Sequence, residues 1–359
     1  MYFKQFLHDD LGCSSYFVAC REARLAVVID PAFDVRPYLD LAEERGYRIG
    51  LVIDTHLHAD HISGNRALAT ATGAQLCLHE SADALFPFRG LRDGEEIELG
   101  TLRLKIVHTP GHRPESISIL LMNPPRSPEP SMVLSGDTLF VGDVGRPDFG
   151  GAEGARQEYQ SVQRLLDLHD YVEVFPAHFE GFCGKGMCGR PSTTIGFERR
   201  FNPVLQLSEA DFLTMASEVP ARPLNMTAIL ETNRGAADYS WVRTTHEHDA
   251  EVGRIGVDEF PTWTAAHDPM IVDVREPSEY AAARIPGAVS IPQADLATRL
   301  SEIPKEREIL VVCASGMRSL RSAQFLHAVG YERVTNLDGG TNGWLAAQHP
   351  TPSAAPAPA

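Results

Sequence analysis

Apolar residues in the first 200 positions fall into short runs that are rich in β-branched and aromatic side chains, a pattern typical of strands. These runs occupy residues 26–29, 49–54, 103–108, 117–122, 132–134 and 172–175. Helical periodicity over 35–45 and 154–168 lies between them, so the pattern predicts sheets covered by helices. The proline-rich stretch 123–130 predicts an exposed loop, because proline has no N–H to donate to a strand ladder.

A second alternation of strands and helices begins near residue 255. Strands are predicted at 270–274 and 309–312, and helices at 277–283 and 319–330. This order is typical of an additional α/β domain. The sequence contains no internal repeat.

The region between the two patterns has weaker periodicity and predicts a connector. It contains one predicted helix at 208–217, with Ser208 as its N-cap, and a proline-rich turn at 220–223. We place the first domain, with the connector, at 1–245 and the second at 255–348. Residues 349–359 are mostly proline and alanine, which predicts a disordered tail.

Composition and charge narrow the classes of partner. The 359 residues suffice for two domains, and 32 basic against 48 acidic residues give a net charge of −16. Such a charge repels phosphate backbones and anionic lipids, and no apolar run approaches the ~18 residues of a membrane span. With no signal-peptide pattern and no paired cysteine spacing, we expect a cytoplasmic protein with reduced thiols and no nucleic-acid or membrane partner.

Three histidines and an aspartate directly follow the predicted strand 49–54. They are His56, His58, Asp60 and His61, and later strand ends carry His112, Asp137 and His178. Because strand ends converge at a sheet edge, distant residues can meet there around a metal. A single histidine is more often a core or surface residue. Seven metal-binding residues in this order favour a metal site, whereas His79, His108 and His169 belong to no such set.

The HxHxDH motif and the later GH, GD and AH pairs resemble the metallo-β-lactamase superfamily over about residues 1–245. The resemblance implies an αβ/βα sandwich with metal at the sheet edge between its halves. Hydrolases of this fold bind two metals through all seven residues and use a bridging hydroxide. Residues 112–114, 145–149 and 184–196 further resemble persulfide dioxygenases, particularly bacterial ones fused to rhodanese domains.

The resemblance to persulfide dioxygenases implies one Fe(II) per N-terminal domain, with O2 as co-substrate. Its ligands would be His56, His112 and Asp137, a face of two histidines and one carboxylate that leaves positions open for a substrate sulfur and O2. The remaining four would orient ligands, handle protons or bind a second metal: His58, Asp60, His61 and His178. The ligand residues alone do not distinguish one metal from two.

A substrate such as glutathione persulfide is anionic, so an acidic protein needs a locally positive entrance. The candidates are Lys185, Arg190 and Arg199. Ordinary surface charge is an equal alternative for each of them. We expect Arg146 and Asp148 to form a structural clamp, and Cys183 and Cys188 to be loop or buried thiols.

Cys313 follows the predicted strand 309–312 and opens a helix. A loop curled from Cys313 to Arg318 can direct backbone N–H groups and a helix N-terminus at the sulfur, which makes Cys313 a candidate nucleophile. An isolated cysteine would more often be a buried structural thiol. Segments around this loop resemble a rhodanese domain over 255–348: 272–276 with Glu279, 284–288, and 338–340 with Trp344.

The rhodanese resemblance implies that Cys313 takes up a sulfane sulfur and passes it to a thiol or to sulfite. Arg318 would bind the anionic group of the substrate. Ala314 replaces an arginine that is common in thiosulfate-using rhodaneses, which removes one positive charge. The six-residue loop fits sulfur better than the longer loop of related phosphatases. We assign Asp273, Arg275 and Glu279 to a structural ion-pair network.

These features together predict a bifunctional enzyme of sulfur metabolism. The first domain would oxidise glutathione persulfide with O2 to sulfite and glutathione, while Cys313 moves sulfane sulfur between thiosulfate and glutathione. The shared persulfide favours this hypothesis over a glyoxalase II-like dizinc thioester hydrolase. A non-oxidising sulfane-sulfur carrier or sensor is a third hypothesis. The sequence leaves three properties open: the direction of sulfur flow, the physiological thiol and the oligomeric state. A homodimer is one option for the oligomeric state.

Overall fold

The computed structural model describes residues 1–8, 11–147, 150–180, 186–217, 226–237, 252–296 and 299–348. The predicted turn at 220–223 and the tail 349–359 lie outside these ranges. The chain divides into two compact units. The first comprises Met1–Pro220 and Met226–Asp238, and the second comprises Ala221–Asn225 and Tyr239–Ala359.

Two six-stranded sheets form the centre of the first unit. In spatial order, the first sheet contains β1 (Tyr2–His8), β2 (Cys13–Cys20), β3 (Leu25–Ile29), β4 (Arg48–Ile53), β5 (Gln75–His79) and β6 (Arg89–Leu91). The second runs from β7 (Glu96–Leu99) through β8 (Leu102–His108), β9 (Ile117–Asn123), β10 (Ser127–Gly136) and β11 (Glu173–Pro176) to β12 (Thr193–Thr194). Strands β3 to β6 are parallel, as are β10 and β11, and the other pairs are antiparallel.

The main core lies between the two sheets. Strand β2 is buried along its whole length, and its side chains alternate between two clusters because successive residues of a strand point to opposite faces. Tyr16 and Val18 join the cluster between the sheets, whereas Phe17 joins the cluster beneath the helices. This two-sided burial explains why residues 16–20 of β2 are all apolar and do not alternate with polar residues.

Helices cover both outer faces. They are α1 (Arg36–Arg45) and α2 (Asn65–Thr72) on the first sheet, and α3 (Gly151–Leu166), α4 (Ile195–Phe201) and α5 (Glu209–Ser217) on the second. A further helix, α6 (Met226–Arg234), follows α5 in the chain. Ser208 caps α5 as expected, since its Oγ accepts the N–H of Asp211 at 3.2 Å. The predicted α/β class and the αβ/βα sandwich are confirmed.

The expectation of a loop at 123–130 is confirmed for the turn at 124–126 but wrong for 127–130, because β10 begins at Ser127 and forms a hairpin with β9. The ladder shifts register on both sides of Pro130, and β11 pairs with β10 only from Met132 onward. The prolines therefore occupy an irregular, one-sided part of the strand where a missing N–H costs little.

The second unit is built on a five-stranded parallel sheet. Its spatial order is β13 (Gly253–Ile255), β17 (Val334–Leu337), β16 (Ile309–Val312), β14 (Met270–Asp273) and β15 (Val289–Ser290). Its helices are α7 (Phe260–His267), α8 (Pro277–Ala282), α9 (Met317–Ala328) and α10 (Gly340–Gln348). Apolar clusters lie on both faces of the sheet. Among the described residues, no helix combines the length and apolar character that crossing a bilayer requires.

Candidate active sites

Asp30, the residue after β3, organises the loop that follows β4. One carboxylate oxygen accepts the backbone N–H of Thr55 at 2.6 Å and lies 3.2 Å from Nε2 of His58, and the other accepts the Thr55 hydroxyl at 2.9 Å. All three residues are buried. A buried carboxylate with this many partners fixes the loop before any metal binds.

The predicted ligands His56, His112 and Asp137 meet at the edge of the sandwich. Nε2 of His56 lies 3.8 Å from Oδ2 of Asp137, and Nε2 of His112 lies 3.6 Å from the same oxygen. The three donor atoms lie within 4.8 Å of one another. His56 Nε2 and Asp137 Oδ2 are buried and have no hydrogen-bond partner among the described residues. Two imidazoles and a carboxylate with buried donor atoms left open in this way fit a divalent metal ion.

Neighbouring groups direct the two imidazoles toward this point. His56 Nδ1 lies 3.0 Å from the Thr55 hydroxyl, and His112 Nδ1 donates to the backbone carbonyl of Arg146 at 2.9 Å. Both contacts leave Nε2 as the metal-facing atom, which is the usual arrangement of outer partners around a histidine ligand.

A second group of histidines and an aspartate lies beside this centre. Its members are His58, Asp60, His61 and His178. His178 Nδ1 lies 2.7 Å from Oδ1 of Asp137, and its Nε2 lies 2.6 Å from Oδ2 of Asp60. Oδ1 of Asp60 also lies 3.3 Å from Nδ1 of His61. His58 instead groups either with Asp60 and His61 or with Asp30 and Asp54. The structure thus brings together all seven predicted metal-site residues.

The pKa shifts of His56 and Asp137 match what metal binding requires. Burial, reinforced by neighbouring His58, lowers the pKa of His56 well below its ordinary value. Burial opposes ionisation of Asp137, but the neighbouring imidazoles, His178 foremost with His56 and His112, together outweigh it and lower the pKa of that carboxyl. His56 is therefore neutral and Asp137 ionised, the protonation states of metal ligands. Burial opposes protonation of His58, but the hydrogen bond and charge of Asp30, with the charges of Asp54 and Asp60, outweigh it and raise the pKa of His58 to about 9.

Of the candidate substrate-binding cations, Arg199 is not brought to this centre. Arg199 pairs with Asp170 and donates to the backbone carbonyl of Leu168 at 2.8 Å, so it lies near the amino end of β11, opposite the metal edge. Arg190 is exposed, and so is Cys188. Lys185, Cys183 and Asp148 lie outside the described residues, which leaves the expected Arg146–Asp148 clamp a prediction.

In the second unit, Cys313 lies at the end of β16 and is fully buried. Its Sγ accepts the backbone N–H of Gly316 at 3.1 Å and the hydroxyl of Ser319 at 3.3 Å. Gly316 has a φ of +100° and caps α9. Donors of this kind at a helix N-terminus stabilise a thiolate, so the loop can support a nucleophilic cysteine.

The expected ion-pair network of Asp273, Arg275 and Glu279 divides into two pairs. The guanidinium of Arg275 forms a salt bridge with the carboxylate of Asp273, with an N–O distance of 2.7 Å, and both side chains are buried. Glu279 instead accepts both terminal nitrogens of Arg318, at 2.6 and 2.8 Å. This bidentate pair lowers the pKa of Glu279 and raises that of Arg318. The predicted anion-binding arginine therefore already has a carboxylate partner.

Comparison with known proteins agrees with both units. The metallo-beta-lactamase superfamily model matches residues 8–178, and the rhodanese-like domain model matches residues 257–347. Human mitochondrial persulfide dioxygenase ETHE1 is 31% identical over 213 residues, which cover 58% of this chain and 77% of that protein. The chain belongs to the metallo-β-lactamase superfamily. It carries a C-terminal rhodanese-like domain, and its homology to ETHE1 supports a role in sulfur metabolism.

Solved structures that are similar to this superfamily member cover most of the chain. A metallo-beta-lactamase from Staphylococcus aureus is 28% identical with a TM-score of 0.65, covering 94% of this chain and 98% of its own. ETHE1 from Myxococcus xanthus is 32% identical with a TM-score of 0.59, covering 66% of this chain and 100% of its own.

A further relative by sequence is hydroxyacylglutathione hydrolase from Polaromonas. It is 35% identical over 167 residues, which cover 46% of this chain and 61% of that protein.

Sequence reasoning missed several residues that support the superfamily metal centre. Glu158 on α3 accepts the backbone N–H of His112 at 2.7 Å. Glu115 accepts both the N–H of Leu57 and Nε of Arg113, which joins the two ligand loops. Asn233 on α6 binds backbone groups of the HxHxDH loop. None of these residues lies in a recognisable metal motif. Glu115 does directly follow residues 112–114, whose sequence HRP resembles persulfide dioxygenases.

Proposed function

We propose that the first unit is an Fe(II)-dependent persulfide dioxygenase and that the second is a thiosulfate sulfurtransferase. The convergence of His56, His112 and Asp137 carries this proposal, because two imidazoles and a carboxylate form an iron site with open positions. Homology to ETHE1 supports persulfide as the substrate class. The proposed small-molecule partners are glutathione persulfide, glutathione, and thiosulfate or sulfite.

The first reaction converts glutathione persulfide, O2 and water to glutathione, sulfite and two protons. When bound, Fe(II) supplies adjacent open positions for the substrate sulfur and O2. His178 donates to Oδ1 of Asp137 and so leaves Oδ2 directed at the two imidazoles. Asp60 bonds the other nitrogen of His178, and its side chain is 23% exposed. This pair offers the released protons a route from the buried centre to solvent.

In the second reaction, the Cys313 thiolate attacks the outer sulfur of thiosulfate. A new S–S bond forms at Sγ, the old S–S bond breaks and sulfite leaves with its electron pair. A glutathione thiolate then attacks the outer sulfur, which yields glutathione persulfide and regenerates Cys313. The N–H of Gly316 and the hydroxyl of Ser319 stabilise the sulfur anion in both steps.

Anaerobic reconstitution of the full chain with Fe(II) or Zn(II) tests the first activity. We expect iron-loaded protein to consume O2 and release sulfite when it is given glutathione persulfide, and zinc-loaded protein to do neither. The matched assay supplies a glutathione thioester without O2. Thioester hydrolysis together with no O2 consumption on persulfide would contradict the dioxygenase proposal.

A glyoxalase II-like dinuclear hydrolase is the second candidate function. Two observations favour it: the similarity to hydroxyacylglutathione hydrolase, and the buried His58 Nδ1 and His61 Nε2, which have no hydrogen-bond partners among the described residues. Rapid hydrolysis of a glutathione thioester by protein loaded with two zinc ions would favour this second function.

A further inference from the structure

Two histidines outside the metal centre stack on each other and join the two sheets of the first unit. His79 ends β5 of the first sheet, and His108 ends β8 of the second. Their ring centroids lie 3.9 Å apart, and the ring planes differ by 10°. Because β5 runs parallel to β4 and β8 leads into the loop of His112, the stack lies at the same edge of the sandwich as the metal ligands.

Hydrogen bonds define what each ring does. Nδ1 of His79 accepts the backbone N–H of Ser81 at 3.3 Å and lies 2.7 Å from the Ser81 hydroxyl. An N–H can only donate, so this Nδ1 carries no proton and the His79 ring is neutral. Nε2 of His108 donates to the carbonyl of Pro114 at 2.8 Å. Pro114 belongs to the loop that carries His112, so the His108 ring holds the ligand loop.

The backbone of His108 is itself held in place. Its N–H donates to a carboxylate oxygen of Asp93 at 2.8 Å, and its carbonyl accepts a hydrogen bond from Arg164 at 3.2 Å. The ring is therefore the part of His108 that can move, and it is held by the stack and by Pro114. Loss of the stack weakens the hydrogen bond that fixes the loop.

A proton on His79 does not fit this arrangement. At Nδ1 it would face the N–H of Ser81, and with His108 protonated too, like charges would lie 3.9 Å apart. Burial and, after it, His108 lower the pKa of His79. The stabilising effect of the neutral ring is therefore lost as the pH falls.

Three carboxylates face His79 and oppose the lowering of its pKa, but each is bound to an arginine. The pairs are Glu80 with Arg92 at 2.7 Å, Asp93 with Arg164 at 2.8 Å, and Glu115 with Arg113 at 3.0 Å.

We propose that His79 and His108 are positioning residues for the metal ligand His112, and that acid releases the ligand loop by protonating their stack. The inference rests on the part of the proposed function that makes His112 a metal ligand, and not on which reaction the metal supports.

Hydrogen exchange of residues 109–116, measured by mass spectrometry on the metal-free full chain, tests the release. Corrected for its intrinsic pH dependence, exchange should become at least about threefold faster from about pH 7.5 to about pH 5.5, the range in which an ordinary histidine takes up its proton. In His79→Phe the ring can still cover His108 but takes up no proton, so most of this step should disappear and the loop should stay protected. In His79→Asn the side-chain oxygen can accept the N–H of Ser81 but cannot stack, so the loop should exchange fast at both pH values.

Anaerobic Fe(II) titration connects the stack to the ligand. Over the same pH range, the affinity of the parent chain should fall by at least about threefold more than that of His79→Phe. His169→Phe is the matched control, because His169 stacks on Tyr171 near the amino end of β11, with centroids 5.3 Å apart, and this variant should behave like the parent chain.

An exchange step of equal size in folded His79→Phe overturns the proposal. A parent chain without the step overturns it too, even if no variant folds. Neither measurement uses persulfide or O2, so an error in the proposed reaction leaves this test intact.

Discussion

Gly111 stands immediately before the proposed ligand His112 and lets helix α3 approach the ligand loop. Its φ is +149°, and a Cβ built there would lie 2.3 Å from Cα of Glu158. Glycine is required at such a position both for its backbone angle and for the missing side chain. The close approach is what allows Glu158 to hold the N–H of His112.

Gly111→Ala is expected to push His112 away from the other ligands. Metal affinity should fall by about 10- to 100-fold, the range seen when support of a ligand is lost. Anaerobic titration of the metal-free protein with Fe(II) measures the change. Gly94→Ala is the matched control, because Gly94 also has a positive φ but nothing within 4 Å of the added Cβ. Equal losses in both variants would contradict this account.

Glu158 makes stability depend on pH. Burial raises its pKa well above the ordinary value of 4.5. Folding therefore favours the protonated form, and stability is lost as the pH rises from the unfolded pKa toward the folded one.

Glu158→Gln removes this ionisation but keeps an acceptor for the N–H of His112. We expect the metal-free variant to be more stable than the parent protein at pH 7 and above, with the difference vanishing near pH 4. Urea unfolding across this range measures the effect. Glu153→Gln, at an exposed position on the same helix, should show no such trend. A pH-independent difference would mean that the burial argument is wrong.

At the scale of elements, α6 supports the HxHxDH loop although it lies outside the two sheets. The side-chain amide of Asn233 donates to the carbonyls of His58 and His61, each at 2.8 Å, and its oxygen accepts the N–H of Ser63 at 3.0 Å. One buried side chain thus satisfies three backbone groups of the loop, and the loop conformation depends on a helix more than 160 residues away in the chain.

Asn233→Ala leaves these three groups without their partner. Each buried orphan costs about 1–3 kcal/mol, so we expect lower stability and a metal affinity reduced by about 10- to 100-fold. Chemical denaturation and metal titration measure the two effects. Glu231→Ala, exposed on the same helix, controls for helix propensity. Unchanged metal affinity in folded Asn233→Ala would exclude a positioning role.

Helices α8 and α9 meet through Glu279 and Arg318, which matters for the charge of the sulfur-transfer loop. Glu279→Gln removes the carboxylate that neutralises Arg318, while glutamine can still close the capping box with Glu276. We expect the KM for thiosulfate to fall about fivefold, equivalent to about 1 kcal/mol for a partly exposed pair. Steady-state kinetics with thiosulfate and glutathione measure it. An unchanged KM would mean that Arg318 does not meet the anion.

At the scale of the whole molecule, each unit has its own apolar clusters and its own candidate site. Cys313→Ser should therefore abolish sulfur transfer from thiosulfate but leave O2 uptake on supplied glutathione persulfide within about twofold. His112→Ala should give the reverse result. Oxygen consumption and thiosulfate-dependent persulfide formation measure the two reactions. Loss of O2 uptake in Cys313→Ser would instead favour the sulfane-sulfur carrier.

The sequence by itself determined the elements that carry strong local signals. Apolar β-rich runs predicted β3, β4, β8, β9 and β16 to within about a residue. Strand β1 gave no such signal, because Lys4 and Gln5 interrupt its apolar residues and it is only partly buried. The compact motifs around His56 and Cys313 were readable because their chemistry lies within one loop.

Only the tertiary structure decided which distant side chains meet. The sequence did not indicate that Asp30 holds His58, that Asn233 secures the same loop or that Cys13 lies against His178. Nor did it show that Glu279 binds Arg318 rather than the pair formed by Asp273 and Arg275. These contacts depend on strand register and on how loops approach one another, which short-range patterns of apolar and polar residues do not encode.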